Sequence, residues 1–156
     1  MTISDPTPPP ADATTDRTAD AQLALRLLGL VDRGQVATSR RALPYLAAAR
    51  HVVVDGRLVL RMHRGHDHHR SCVGSIVAYG ADEPGGDGEA AGARGGGGRG
   101  PVRWSVQVVG ECAAVEPTAA ELERFGPPPP PLADDEPFDP VYVCVTPEFV
   151  TVRTAG

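Results

Sequence analysis

Apolar residues in this chain fall into short stretches whose period changes along the sequence. Between Asp20 and Val31, Leu23, Leu27 and Leu30 recur at i, i+4 and i+7 with Leu28 beside them. That spacing predicts an amphipathic helix, with Thr18 or Asp20 placed to cap its start. After Gly34 the period shortens to two. Gly34–Arg40 reads as a short strand, Leu43-Pro44 as a turn, and Tyr45–Val54 as a longer strand whose Val52-Val53-Val54 run predicts burial on both faces. Asp55-Gly56 is a hairpin signal, so Arg57–His63 should return antiparallel. Within that strand Leu58, Leu60 and Met62 share one face, and Val59, Arg61 and His63 share the other.

The second half continues in strands. Val73–Ala81 and Pro101–Glu116 are strand candidates, the latter with Trp104, Val106 and Val108 on one face. Pro117-Thr-Ala-Ala-Glu121 is a capping box, with Thr118 as N-cap, for a short helix carrying Leu122 and Phe125 and stopped by Gly126. Pro127 to Pro131 form a stiff spacer within a Pro-rich linker over 127–140. Val141–Val145, a bend at Thr146-Pro-Glu, and Phe149–Arg153 read as a bent pair of strands. The sum is a mainly β protein with two or three short helices. Five or six antiparallel strands remove their exposed edges most simply by closing into a small barrel.

Composition sets the limits of this domain. Residues 1–18 hold almost no large apolar side chains and read as a disordered tail, leaving 19–156 as one domain. Residues 84–100, almost all Gly, Ala, Asp, Glu and Arg, read as a flexible insertion. No basic segment leads into an apolar run at the start, and no stretch nears the roughly 20 apolar residues of a membrane span. The expectation is a soluble protein. Cys72, Cys112 and Cys144 are scattered without C-x-x-C spacing, which reads as reduced thiols in the cytoplasm, Cys112 and Cys144 as small core residues. A net charge of −5 argues against a nucleic-acid surface. The chain contains no lysine, which excludes Schiff-base chemistry and leaves Arg, His, hydroxyls and backbone N–H groups to hold any anion.

The chemistry concentrates in Arg61-Met-His-Arg-Gly-His-Asp-His-His-Arg70, which packs four His and three Arg into ten residues. Cations this close repel one another unless an anion or a metal lies among them. Three readings follow: contact with a phosphate or substrate, a divalent metal site using the His-x-x-His and His-x-His spacings with Asp67 and Cys72, or an exposed polar loop. His63 and His66 are the nearest candidates for a general acid or base, and no catalytic residue is assigned.

The order of segments resembles the pyridoxamine 5′-phosphate oxidase-like family, the FMN-binding split β-barrel, in its small single-domain form. The resemblance rests on Leu27-Leu28 in the leading helix, GQVAT, LPYLAAARHVVVDGRLVLRM, WSVQVVGECAAVEP and VYVCVTPEFVTVR, and covers roughly residues 20–155. It implies a six-stranded antiparallel split β-barrel, a homodimer with the flavin at its interface, and two-electron redox chemistry on a small molecule. The family's phosphate loop reads Arg-Thr-x-x-Gly-Ser-Lys; here Arg61 and Gly65 match, while Met62 and Asp67 stand at the Thr and Lys positions. Arg64, His66, His68, His69 and Arg70 are then substitute donors, since guanidinium forks suit phosphate oxygens. The resemblance thus implies FMN contacts from Arg50, Arg61, Met62, His63, Gly65, His66, Arg70, Trp104 and Ser105, with backbone groups around Ala48 and Ala49. The rival is a flavin-free split-barrel dimer with a structural role, or one binding metal or haem through the His-rich loop 63–69.

Overall fold

The computed structural model describes residues 11–83, 103–130 and 137–155. Helix α1 (Ala11–Leu28) precedes strands β1 (Arg33–Arg40), β2 (Leu43–Val54) and β3 (Arg57–His63). A single 3₁₀ turn (Arg64–His66) and the short helix α2 (His68–Cys72) lead to β4 (Ile76–Asp82). Strand β5 (Trp104–Ala114), helix α3 (Ala119–Phe125) and strand β6 (Pro140–Thr154) complete the described chain. The six strands form a closed antiparallel barrel in the order β1-β2-β3-β6-β5-β4, with β4 returning to pair with β1. The mainly β class and the closed barrel are as the residue pattern predicts.

Alternation along each strand divides the barrel's inside from its outside. Leu58, Leu60 and Met62 enter the main core with Val36, Val77, Tyr79, Trp104, Val106, Val108, Val143 and Val145. Val59 points the other way and joins Val52 and Phe125 in a second, smaller cluster beneath α3. Thr118 and Glu121 make the predicted capping box, and Gly126 ends α3 at a φ of +72°. All three cysteines are buried free thiols, and burial pushes the Cys112 thiol up to about 12, so these are packing residues.

Several boundaries differ from the sequence reading, each for a local reason. The Ala-rich segment propagates α1 back to Ala11, so Thr18 and Asp20 lie inside the helix and residues 11–18 belong to it. Residues 1–10 of the expected tail, and the insertion 84–100, lie outside the described residues. The helix stops before Gly29, and Leu30 is left exposed. The β1–β2 turn sits at Arg41-Ala42, not Leu43-Pro44: both residues take φ near +50° to +63°, the primed-turn conformation that the sequence conceals by using no glycine. Gly74, at a φ of +81°, delays β4 to Ile76. The Thr146-Pro-Glu bend is a bulge within one continuous strand. There Gly110 faces the Thr146 carbonyl so closely that a Cβ would lie 1.8 Å from its oxygen.

Helix α1 is fastened to the barrel by packing of Ala24 and Leu28 and by one buried polar chain. His51, 3 % exposed, places Nε2 2.7 Å from the Leu28 carbonyl, and its Nδ1 meets the Tyr79 hydroxyl. A carbonyl only accepts, so Nε2 carries the proton and Nδ1 accepts from Tyr79. Burial pulls the His51 pKa below its ordinary 6.5, against the smaller opposing effects of the Leu28 hydrogen bond and Asp32. The folded chain therefore binds this proton less readily than the unfolded chain. The stabilising contribution is complete above about pH 6.5 and is lost as pH falls below it. Urea midpoints measured from pH 8 to pH 5 should hold steady and then decline below that value, and His51→Gln should flatten the decline.

Candidate functional site

Pairing between β2 and β3 runs from the Asp55-Gly56 turn to Arg50 opposite Arg61, and stops there. Beyond this rung β2 continues beside β1 alone, back to Leu43, and β3 continues beside β6 alone, to His63 opposite Pro140. The two strands part, and a cavity of about 470 Å³ opens on the described surface where they do. Its floor is the Leu46-Ala47-Ala48-Ala49 stretch of β2, whose edge toward β3 has no strand beside it among the described residues. Small side chains there allow a flat group to approach the backbone.

One end of the cavity is cationic. Arg33, Arg50 and Arg61 lie side by side in register on β1, β2 and β3, and all three line it. Arg50 is partly neutralised by Asp32 at 3.2 Å and also reaches the Phe125 carbonyl at 3.3 Å. Arg61 is 4 % exposed. Its guanidinium lies between the Phe125 and Phe138 rings, 5.2 and 5.8 Å from their centroids, and Nη1 donates to the Gly126 carbonyl at 2.9 Å. Nη2 is buried and has no partner among the described residues. A buried, unsatisfied donor on a charged group costs about 1–3 kcal/mol or more, and an anion in the cleft would remove that cost. The donor set thus fits a phosphate: a planar fork, fixed by two rings, with one arm open.

The other end is imidazole-lined. His63, His66 and His68 border the cavity, with ring centroids 4.7 Å apart for the first pair and 6.1 Å for the second. His63 stacks on Phe138 at 5.1 Å, and its Nδ1 accepts the Asp139 backbone N–H at 3.1 Å. Asp139 also takes the Arg64 N–H on its carbonyl at 2.8 Å and the Arg64 Nε on its carboxylate at 3.3 Å. The segment after α3 is therefore anchored to β3 at both ends, by Arg61 at Gly126 and by His63-Arg64 at Asp139. Among the described residues no three His, Cys, Asp or Glu side chains converge as metal ligands would.

Of the residues implied by resemblance, Arg50, Arg61, Met62, His63 and His66 line the cavity, Met62 with its side chain toward the core. Gly65 lies beside it and serves His63: a Cβ there would stand 2.8 Å from the His63 Nε2. The structure does not bring Arg70, Trp104 or Ser105 to the cavity. Arg70 is exposed and paired with Asp67 at 3.0 Å, so the acidic residue at the family's Lys position is neutralised locally instead of opposing Arg61. Trp104 is buried in the main core, and Ser105 pairs with Asp82 and Arg153 on the far side of the barrel. His69 does not line the cavity; burial, and then Arg64 and Arg70, pull its imidazole below the usual range. Arg33, Phe138 and Pro129 escaped the sequence reading. Arg33 was legible only through the β1–β2 register, and the other two lie in a segment without periodicity.

The sequence profile of the pyridoxamine 5′-phosphate oxidase family matches residues 20–154, and the chain belongs to that family. Among solved structures it is similar to the FAD binding protein from Mycobacterium smegmatis, at 23% identity and a TM-score of 0.58, covering 85% of this chain and 94% of that one. A FAD-binding protein from Mesorhizobium loti aligns at 18% identity and a TM-score of 0.54, over 87% of this chain and 95% of its own. The heme binding protein from Mycobacterium smegmatis aligns at 12% identity and a TM-score of 0.57, over 86% of this chain and 53% of its own. No curated protein matches the chain. These likenesses establish the shared fold. No helix among the described residues is long and apolar enough to cross a membrane.

The contact between Gly65 and His63 generates a test. Gly65→Ala should destabilise the protein by about 1–2 kcal/mol, because the imidazole must leave its place against Asp139. Most of that loss should vanish when His63 is already alanine, which a double-mutant cycle in urea measures directly.

Proposed function

We propose that this protein is a flavin-binding protein that holds the phosphate of a flavin nucleotide, FMN in the expectation set by resemblance, on Arg61. The observation that carries the reading is the buried Nη2 of Arg61, without a partner among the described residues, at the closed end of a cleft. Arg50 adds charge beside it, and the free edge of β2 at Ala47–Ala49 offers backbone groups to a flat ring. The FAD-binding names of two structural neighbours support the same ligand chemistry. A bound flavin supplies two-electron transfer to or from a small molecule. The chain's own part is to fix the phosphate, to cover the guanidinium with Phe125 and Phe138, and to keep water from it. His63, with Nδ1 held by the Asp139 N–H, presents a wall of fixed orientation and is the nearest candidate for moving a proton.

The same reading makes the protein a homodimer. A belt of apolar residues runs around the outside of the barrel, Leu46, Ala37, Ala78, Val109 and Phe149, each paired in register with the next. Leu46 and Phe149 are 61% and 71% exposed. Gln35, Gln107, Ser39 and Glu111 flank the belt with polar groups, the pattern of an interface core and its rim. Leu46 also belongs to the cavity wall, so a second copy on this belt would close the open side of the cleft.

A second reading, haem held through the loop 63–69 in a flavin-free dimer, draws on His66 and His68 at the cavity and on the heme-binding neighbour. The two separate by colour. Protein that releases a yellow, fluorescent chromophore on denaturation, or is stabilised by added FMN in a thermal-shift titration, supports the flavin. A Soret band upon haem addition together with indifference to FMN supports the rival.

Arg61→Gln should weaken flavin binding by about 2–3 kcal/mol, read as a shifted fluorescence-quenching titration. Unchanged affinity removes Arg61 from the site. For the dimer, Ala78→Arg at the middle of the belt should convert the protein to a folded monomer by light scattering coupled to size exclusion. A wild-type chain that is monomeric at tens of micromolar contradicts the interface.

A further inference from the structure

The cationic end of the cavity holds more unpaired donors than one phosphate requires. Arg33, Arg50 and Arg61 form a single lateral row, and one carboxylate, that of Asp32, is paired with it, on Arg50. Neighbouring strands stand about 4.8 Å apart, so the backbones of Arg33 and Arg61 are separated by roughly twice that distance, with Arg50 between. Arg61 is held between two rings, and its Nη2 has no partner among the described residues. Arg33 is exposed at the cavity rim, and among the described residues no carboxylate pairs with it. The two guanidiniums thus flank a neutralised one, and their long side chains, all lining one cavity, can converge on two linked anionic groups.

We propose that Arg33 forms a second anion subsite, and that the cavity takes a diphosphate-linked flavin dinucleotide in preference to the mononucleotide. The proposal rests on the flavin reading above and adds to it the length and charge of the ligand's tail. Arg61 takes the inner phosphate. Arg33, free to swing on its exposed side chain, takes the outer one, and its position at the rim leaves the rest of the dinucleotide directed away from the Ala47–Ala49 floor.

The test compares FAD with FMN, and pyrophosphate with phosphate, on the purified full-length chain at low and at physiological salt. FAD should bind at least about tenfold more tightly than FMN, the difference a single charge-assisted contact supplies. Arg33→Gln should reduce the FAD affinity to the level of FMN, and Arg33→Lys should restore part of the preference. Equal affinities for FAD and FMN in the wild-type protein, or an FAD preference that survives Arg33→Gln, overturns the subsite while leaving the flavin reading intact. If neither flavin binds, the flavin reading fails, and the inorganic anions decide the subsite alone. Pyrophosphate must then bind more tightly than phosphate and lose that advantage in Arg33→Gln; a chain that treats the two alike has no second subsite.

Discussion

The rung where Arg50 faces Arg61 is the constraint on which the rest of this molecule turns. Up to that point β2 and β3 are an ordinary hairpin. Past it each strand keeps one neighbour among the described residues, and the barrel opens without losing closure because β1 and β6 hold the two lips. Two like charges side by side on adjacent strands would by themselves disfavour the rung. They are tolerated because Asp32 and the Phe125 carbonyl take Arg50, while Gly126 and two aromatic rings take Arg61. Among the described residues the compensation is incomplete at Nη2, and that buried donor is the group the proposed phosphate would satisfy.

The segment following α3 is as much a part of the site as β3 itself. Its near end is fixed at Gly126 by Arg61 and its far end at Asp139 by His63 and Arg64. Between them Phe138 lies over both His63 and Arg61, so the ring that screens the guanidinium depends on the imidazole two residues further along the same strand. Gly65 is small because His63 occupies the space that a side chain would need. At the two positions where the resemblance implies Thr and Lys, Met62 turns into the core and Asp67 pairs with Arg70 outside the cavity.

Much of this was legible in the residues. Period-two alternation located all six strands, and placed Arg61 and His63 together away from the Leu58, Leu60 and Met62 face, because side-chain direction in a strand is local geometry. The Thr118–Glu121 box and the Asp55-Gly56 turn were likewise local. Turns without glycine, at Arg41-Ala42, and the bulge at Gly110 were not, since tertiary pairing imposes both. Arg70, Trp104 and Ser105 lay near the candidate loop or strand in the family pattern, but a salt bridge and core packing hold Arg70 and Trp104 elsewhere within the protomer, and β5 register does the same for Ser105.

The sequence alone determined a small antiparallel barrel, its hydrophobic faces and the concentration of Arg and His after β3, because these follow from periodicity and composition over a few neighbouring residues. The tertiary structure decided which of those cations share one space. Arg33, Arg50 and Arg61 are 17 and 11 positions apart along the chain, and only antiparallel register sets them in a row. Phe125 and Phe138 reach Arg61 only after the chain has crossed the barrel through β4 and β5. Contacts of that separation are set by strand pairing and burial, which no local pattern encodes.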